Sequence, residues 1–459
     1  MDDRERCLYI ALVGGQPAPI LLGLLHLAHT AGFPRPTEIL LVGTNAVRVQ
    51  MERLRRVLST VAERALNGRL VSFQSDRVVV DPYAAEETRT VIAEALAAFS
   101  GGSVVLNLTG GTAMMSLGAY LAAREHAAGS PITLRAQYVV TGDHTFRYND
   151  PGTQMWVVHP FPHPLHGLSL PTLCEAYGVE IVPTPDAHPQ WNTLACIMAD
   201  GGRFMDTARE IKRLNFEYRR QRFCDETGKE QRSGLEFTRS VEPYTPADRD
   251  VQSFCERLVQ AGLLQQVRRG YIVPRTTDGA IGDFWRGQWL ERAVYGCLEP
   301  FQRRGWLASA KDEGLLLNAR IRPEGDEIDV LAMFMGHLLL VECKDWWLYD
   351  EYRSADLKRA IDRLGELRRR LGGTYARAYL IVTRLNIAGR RELTIRREIE
   401  ARCHNLNVAL IELARLPAAL QRLSESEPAL VAKLPASAPP LMRWFAAEML
   451  WLSERADMP

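Results

Sequence analysis

Two carboxylates and a lysine lie close together in the second half of the chain, in two runs that are typical of strands. The runs are EIDVLAMF, which contains Asp329, and LLLVECK, which contains Glu342, Cys343 and Lys344. Side chains alternate faces along a strand, so Glu342 and Lys344 are predicted to share one face, where Asp329 can meet them. Two carboxylates suit a hard divalent cation such as Mg²⁺ or Mn²⁺, and a lysine can orient a water and offset charge on a phosphate. The spacing therefore predicts metal-dependent phosphodiester chemistry.

A third candidate carboxylate, Glu291, lies upstream on a helix predicted over residues 285–298. The alternative interpretation of the whole set is an amphipathic hairpin whose charges lie at its solvated rim. Four apolar residues, 338–341, precede Glu342, so an unpaired charge at that position would be buried at a high cost. We therefore favour the catalytic interpretation. The helix predicted next, 354–371, carries clustered arginines that can hold a phosphate backbone or form neighbouring ion pairs on a solvated face.

A glycine-bearing loop in the first third of the chain is a second candidate site. The segment NLTGGTAMMS, residues 107–116, leaves a predicted buried strand, passes Gly110 and Gly111, and opens a helix. Glycines allow close approach of a ligand to the backbone, and the N–H groups at a helix start favour phosphate. The segment matches neither GxxxxGK[ST] nor GxGxxG, which argues against nucleoside triphosphates and dinucleotides. A plain tight turn from strand to helix remains the alternative.

The elements around this loop alternate between strands and helices, which predicts a parallel, helix-covered sheet. We assign residues 1–160 to a Rossmann-like domain of this kind. Further polar loops follow the first strand, at Gly14-Gly15-Gln16, and the second, at Gly43-Thr44. Three such loops at the carboxyl ends of strands predict a ligand crevice at that edge of the sheet.

The remaining chain is predicted to form a connector and a second α/β domain. Residues 161–280 begin with clustered prolines and are predicted to form a small helical connector. Within it, a helix over 246–264 and a hairpin over 265–273 could form part of a winged helix. Residues 281–459 are predicted to form a sheet flanked by helices around a central hairpin, with a helical C-terminal extension.

Composition excludes several classes of protein. The 459 residues are 46% hydrophobic, and the net charge is +1, so any contact with nucleic acid must use a local patch. The 8 cysteines include no CxxC pair, which argues against a zinc site or a disulfide framework. No apolar run approaches the roughly 20 residues of a membrane span. The acidic start lacks the features of a signal peptide, so we expect a cytoplasmic protein that does not bind a membrane.

The N-terminal motifs resemble the CARF domain, the CRISPR-associated Rossmann-fold sensor of cyclic oligoadenylates. The resemblance rests on GGQP after the first strand, LVGT in the second, and NLTGGT followed by a Met-Met-Ser helix. It implies a homodimer that places one ring of linked adenylates across its two-fold axis, with cyclic tetra-adenylate as the expected ring. Carried over by motif position, the residues expected to face this ligand are Gly15, Gln16, Thr44, Thr109, Gly110, Gly111 and Thr112.

The C-terminal motifs resemble the PD-(D/E)XK nuclease fold, which is the fold of restriction endonucleases. GQWLERAVY, EIDVLAMF, LLLVECK and LGELRRRLGGTYARAYLIV occur in the order typical of that family. The resemblance implies that Asp329, Glu342 and the Cys343 carbonyl hold the metal, that Lys344 supports the attacking water, and that Glu291 assists. Both domains in one chain are similar to the CARF nucleases of type III CRISPR defence, which implies a ligand-activated endonuclease that cleaves DNA, RNA or both.

Two other functions are compatible with parts of the sequence. One is a ligand-responsive, DNA-binding transcriptional regulator that uses residues 246–273 as a winged helix and carries an inactive nuclease-like domain. The other is a dinucleotide-dependent enzyme, which the missing GxGxxG disfavours.

Overall fold

The structure is a computed structural model that describes most of the chain. The described residues are 6–66, 68, 71–140, 145–150, 155–160, 168–199, 202–219, 234–237, 242–275, 279–303, 307, 314–322, 325–334, 337–345, 354–385, 392–426 and 438–454. Within them, two large mixed sheets and two small hairpins alternate with helices. The α/β class predicted from the sequence is confirmed.

The first sheet is mainly parallel. Its strands are β1 (Cys7–Leu12), β2 (Glu38–Thr44), β3 (Ser72–Phe73), β4 (Arg77–Val79), β5 (Ser103–Asn107), β6 (Thr133–Val140), β7 (Thr145–Asp150) and β8 (Met155–Pro160). The order is β3-β2-β1-β5-β6-β7-β8, and β4 also pairs with β2. Strands β1 to β6 pair in parallel, whereas β7 and β8 add an antiparallel edge that the sequence pattern did not predict.

Four helices flank this sheet: α1 (Ala18–His29), α2 (Arg48–Ala65), α3 (Ala85–Ala98) and α4 (Ala113–Ala127). Every residue of β1 is buried, as expected for a parallel strand between two helical layers. The strand order reverses between β1 and β5, since β2 lies on one side of β1 and β5 on the other. Ligands of open α/β sheets bind beyond the carboxyl ends of the strands at such a switch point.

The middle of the chain contains short elements. They are α5 (Leu170–Ala176), β9 (Glu180–Val182), α6 (Gln190–Met198), α7 (Arg203–Asn215), β10 (Phe216–Arg219), β11 (Gly234–Phe237), α8 (Arg249–Gln260), β12 (Gln265–Val267) and β13 (Gly270–Ile272). Helix α8 and the β12–β13 hairpin occupy the positions predicted for half of a winged helix. Asp248 caps α8 by accepting a hydrogen bond from the Val251 N–H, which fixes where the helix begins.

The second sheet contains the central hairpin predicted from the sequence. The elements are α9 (Gly279–Asp283), α10 (Trp289–Arg303), β14 (Leu315–Arg322), β15 (Glu327–Phe334), β16 (His337–Lys344), α11 (Ser354–Leu371), β17 (Ala376–Val382), α12 (Glu392–Asn405), β18 (Val408–Glu412), α13 (Leu416–Ser426) and α14 (Pro440–Glu454). The order is β18-β17-β16-β15-β14-β9. Strand β9 comes from the predicted connector, so that segment contributes the edge strand of the second sheet. None of the described helices is long and apolar enough to cross a bilayer.

Candidate functional site

Asp329 and Glu342 face each other where the strands of the central hairpin separate. The β15–β16 ladder ends with the pair Val330 and Val341. Asp329 and Glu342 are the next positions beyond that pair, so both project from one face of the sheet. On the other side of β15, Asn318 lies opposite Asp329 with a left-handed φ of 52°. These irregularities leave room for side chains at the point where regular pairing stops.

The Asp329 side chain makes a hydrogen bond of the kind that a backbone carbonyl makes in a regular strand ladder. Its Oδ2 accepts a hydrogen bond of 2.6 Å from the Cys343 N–H, so the carboxylate takes the place of a backbone carbonyl in the ladder. The Lys344 Nζ lies 2.6 Å from Glu342 Oε1 and 3.9 Å from Asp329 Oδ2. The structure thus brings together Asp329, Glu342 and Lys344, as the alternation predicts, and adds the Cys343 backbone N–H as a hydrogen-bond donor to Asp329.

Burial makes this cluster electrostatically unusual. Burial raises the pKa of Asp329 to about 7, and the negative charge of Glu342 adds to that effect. Burial opposes the charge on Lys344, but the carboxylates of Asp329 and Glu342 outweigh it and raise the Lys344 pKa. The lysine is therefore a permanent cation, whereas Asp329 exchanges its proton near neutral pH.

Glu291 on α10 belongs to the same electrostatic cluster. Burial, followed by the negative charge of Asp329, raises the pKa of Glu291 well above its usual range. Lys344 acts in the opposite direction. A raised pKa means that Glu291 keeps its proton to a higher pH than an ordinary glutamate does, which suits a group that assists from beside the two facing carboxylates.

A buried ion pair that the sequence did not predict lies next to the site. Lys212 on α7 places its Nζ 2.5 Å from Asp345 Oδ2, and their side chains are 4% and 1% exposed. The same Oδ2 accepts a hydrogen bond of 2.8 Å from Trp289 Nε1. Asp345 follows Lys344 directly, so a helix of the middle segment fixes the end of the strand that carries the lysine. No sequence spacing could reveal this pair, because its two residues lie 133 positions apart.

Arg363, from the arginine-rich helix α11, also reaches the site. Its Nη2 lies 2.6 Å from Glu342 Oε2 and donates to the Glu327 carbonyl at 3.2 Å. Other cations of this helix form local or tertiary pairs, such as Lys358 with Glu398. The basic helix therefore contributes the cation of Arg363 to the carboxylate cluster. Other cations of the helix, such as Lys358, pair with carboxylates outside the cluster.

The donor set fits a hard divalent cation that keeps part of its hydration. Asp329 and Glu342 present oxygen ligands on one face, and Mg²⁺ is typically held by one or two carboxylates plus waters. Within the described residues, no group of three or more His, Cys, Asp or Glu side chains is arranged to hold a metal ion. A metal here would therefore complete its coordination with non-side-chain ligands, such as a backbone carbonyl and water.

The glycine loops of the first sheet meet at the switch point between β1 and β5. A Cβ atom on Gly14 would lie 1.8 Å from the Gly110 carbonyl oxygen, and a Cβ on Gly110 would lie 2.0 Å from the Leu12 carbonyl oxygen. Any side chain at either glycine would force the two loops apart. The structure therefore packs two of the three predicted loops tightly against each other at this edge of the sheet, and the ligand crevice itself stays a prediction.

The threonines of the NLTGGT segment are engaged in building the loop. Thr109 Oγ1 accepts a hydrogen bond of 2.8 Å from the Val139 N–H. Thr112 caps α4 by accepting from the Met115 N–H at 3.1 Å. These contacts orient the segment and leave the backbone groups around Gly110 and Gly111 as the part most suited to contact a phosphate.

The other predicted ligand residues have different surroundings. Thr44 ends β2, and the Gly15 position has no heavy atom within 4 Å of where a Cβ would lie. Gln16, by contrast, contacts other parts of the molecule. Its Oε1 lies 3.2 Å from the Tyr177 hydroxyl, and a Cβ on Gly373 would lie 2.5 Å from its Nε2.

Comparison with known proteins gives a family match for part of the chain. Residues 280–421 match the family model described as Card1-like, endonuclease domain. The matched range contains Glu291, Asp329, Glu342 and Lys344. No curated protein matches the chain by sequence.

Two solved structures share the fold of nearly the whole chain. One is Can2 from Sulfobacillus thermosulfidooxidans in complex with cyclic tetra-adenylate, with 16% identity, a TM-score of 0.59, and coverage of 90% of this chain and 96% of that chain. The other is protein VC1899 from Vibrio cholerae, with 16% identity, a TM-score of 0.61, and coverage of 92% and 98%. At this identity the likeness establishes a common fold.

Proposed function

We propose that this protein is a metal-dependent endonuclease, activated by a cyclic oligoadenylate, that acts in type III CRISPR antiviral defence. Asp329, Glu342 and the Cys343 carbonyl would hold Mn²⁺ or Mg²⁺, which supplies charge stabilisation at the scissile phosphate. Lys344 orients the attacking water and offsets negative charge as the phosphodiester is cleaved. Glu291 assists from beside these residues, where its protonation state is coupled to the charges of Asp329 and Lys344.

The observation that carries this proposal is the arrangement of Asp329, Glu342 and Lys344 on one face of the hairpin. Glu342 and Lys344 form a 2.6 Å ion pair at the end of a buried strand. An ion pair with a purely structural role would not need a second carboxylate, Asp329, facing it. The match of residues 280–421 to an endonuclease domain model supports the same chemistry.

The crevice of the first sheet supports the choice of activator. A cyclic oligoadenylate presents phosphates, which suit the backbone groups of Gly110 and Gly111 at the start of α4. Can2, which shares the fold, was solved with cyclic tetra-adenylate, and we propose the same ring here. A homodimer is proposed as well, because α4 exposes the apolar side chains of Met114 and Leu117 on one face, at 37% and 46%.

The direct test is a cleavage assay on labelled single-stranded DNA, single-stranded RNA and supercoiled plasmid. Each substrate is incubated with Mn²⁺ or Mg²⁺, with and without cyclic tetra-adenylate or cyclic hexa-adenylate. We expect cleavage that requires both a metal and one ring size. Tight ligand binding without cleavage of any substrate would instead favour a DNA-binding regulator that uses α8 and the β12–β13 hairpin.

The affinity for Mn²⁺ is expected to rise with pH. Because the pKa of Asp329 is raised to about 7, the residue is mostly protonated at pH 6 and mostly ionised at pH 8. A metal binds only the ionised carboxylate, so affinity should increase about tenfold between these values. Calorimetric titration of the full chain with Mn²⁺ at pH 6, 7 and 8 measures this change. Equal affinity at pH 6 and pH 8 would contradict a metal role for Asp329.

Gly110→Ala is expected to weaken ligand binding at least tenfold and to lower stability by about 1–3 kcal/mol, the usual cost of overpacking. The cause is the 2.0 Å approach of the added Cβ to the Leu12 carbonyl oxygen, which forces the crevice loops apart. Calorimetry with cyclic tetra-adenylate and urea unfolding measure the two effects. Gly129→Ala is the matched control, because that position has no heavy atom within 4 Å. Unchanged ligand affinity in Gly110→Ala would place the ligand elsewhere.

A further inference from the structure

Glu342 is held by cations from two different elements. Lys344, from its own strand, lies 2.6 Å from Oε1, and Arg363, from helix α11, lies 2.6 Å from Oε2. Both carboxylate oxygens are therefore engaged. A divalent cation that takes an oxygen of Glu342 has to compete with one of these two partners.

Arg363 is the partner whose position a conformational change can alter. Its contacts with Glu342 and with the Glu327 carbonyl both use Nη2, and its buried Nε has no hydrogen-bond partner within the described residues. The described contacts of the guanidinium thus use a single nitrogen and do not form a bidentate pair with the carboxylate, which makes the ion pair between Arg363 and Glu342 easier to break. Lys344 moves only with strand β16, whereas Arg363 moves with a helix.

The other end of that helix contacts the proposed ligand crevice. The Tyr177 hydroxyl lies 3.2 Å from Gln16 Oε1 and 3.4 Å from the carbonyl oxygen of Gly372, which directly follows α11. The hydroxyl has one proton, so it can donate to only one of these two oxygens at a time. A ligand that takes the Gln16 side chain therefore alters the contact that ties α11 to the crevice.

Helix α11 can carry this change to the carboxylates as a rigid element. Arg363 and Gly372 lie nine positions apart, which is roughly 14 Å along a helix. Arg368 donates to the Gly373 carbonyl at 3.0 Å, so the turn is attached to the last part of the helix. A displacement of the turn is thus transmitted to the position of Arg363.

We propose that Arg363 is a positioning residue that competes with the metal for Glu342, and that the contact between Gln16, Tyr177 and Gly372 makes this competition depend on the ligand. The proposal rests on the function proposed above. In the ligand-free chain Arg363 neutralises Glu342 and keeps metal affinity low. Ligand binding shifts α11, releases Glu342 and strengthens metal binding.

The first experiment titrates the full ligand-free chain with Mn²⁺ by calorimetry at pH 8. Arg363→Met and Arg363→Gln remove the competing charge, and each is expected to bind Mn²⁺ about tenfold more tightly than the wild type. Arg363→Lys keeps a cation and should stay within about threefold. Arg359→Met is the matched control, since Arg359 is an exposed cation of the same helix that pairs with Asp356. Melting temperatures verify that each variant is folded.

Unchanged or weaker Mn²⁺ binding in a folded Arg363→Met or Arg363→Gln variant would overturn the proposal. So would the absence of measurable Mn²⁺ binding in these variants. An equal gain in Arg359→Met would show that the effect is a general one of net charge and would overturn it too. Because this readout needs no cleavage, an absence of nuclease activity would reject the proposed function without deciding the role of Arg363.

The second experiment adds cyclic tetra-adenylate to the Mn²⁺ titration. In the wild type the ligand is expected to tighten Mn²⁺ binding at least fivefold, a usual size for coupling between sites. Tyr177→Phe should bind the ligand but lose most of this gain. Tyr120→Phe is the control, because it removes a hydroxyl that bonds to Asn149 within the first sheet domain. A full gain in Tyr177→Phe, or no gain in the wild type, would refute the link.

Discussion

Glu342→Gln is expected to reduce ligand-stimulated cleavage by about a thousandfold, at the upper end of losses seen when one electrostatic stabiliser is removed. Glutamine has nearly the same shape as glutamate, but its single amide oxygen can accept a hydrogen bond from only one of the two cations, Lys344 and Arg363. It lacks the negative charge that holds a divalent cation, so metal binding and charge stabilisation are lost together. The measurement is the initial rate on the preferred substrate at saturating Mn²⁺ and ligand.

The control for this experiment is Glu366→Gln, which removes an exposed carboxylate from α11. It should cleave at the wild-type rate. Both variants should still bind cyclic tetra-adenylate, because the proposed crevice belongs to the other sheet. A Glu342→Gln variant that retained the full rate would show that the carboxylate cluster does not carry the reaction.

Lys212→Met is expected to destabilise the protein by about 3–5 kcal/mol, because it leaves the Asp345 carboxylate buried without its counter-charge. The pair has N···O at 2.5 Å and side-chain exposures of only 4% and 1%. Lys344 immediately precedes Asp345, so the strand end that carries the proposed catalytic lysine should also lose its fixed position. Urea unfolding of the full chain measures the stability change, and cleavage measures the effect on Lys344.

The neighbouring residue provides a matched control for this prediction. Arg213 pairs with Glu210 at the surface, with exposures of 58% and 42%, so Arg213→Met should cost no more than about 0.5 kcal/mol. The double variant Lys212→Met, Asp345→Asn removes both charges and keeps an oxygen that can accept from Trp289. It should be more stable than Lys212→Met alone. If Lys212→Met were as stable as Arg213→Met, the buried pair would have no role in holding the strand.

The parts of the site that lie within one strand or one loop were predictable from the sequence. In LLLVECK, the apolar run and the alternation of Glu342, Cys343 and Lys344 place the two charges on one face. In NLTGGT, the glycines mark a turn between strand and helix, and the structure packs Gly110 against the β1 loop. Both predictions depend on the period of the backbone, which a local segment shows directly.

Elements with weak or irregular patterns were not predictable. Strands β7 and β8 form an antiparallel edge of the first sheet, and β8 exposes the apolar side chains of Met155 and Trp156, so its sequence does not follow the usual pattern of a strand with one buried face. Strand β9 has only three residues and pairs with β14 from far along the chain. Such short strands are stabilised by the sheet they join more than by their own residues.

What the sequence determined by itself is the local order: which strongly patterned segments form strands or helices, and which charged groups of one strand share a face. What only the tertiary structure decided is the set of partners, namely Arg363 on Glu342, Lys212 on Asp345, and Tyr177 between Gln16 and Gly372. The physical reason is that side-chain periodicity is a property of neighbouring residues. Pairing between distant residues depends on how the elements pack. The entropic cost of closing a loop increases only slowly with the length of the loop, so sequence separation alone does not select one distant partner over another.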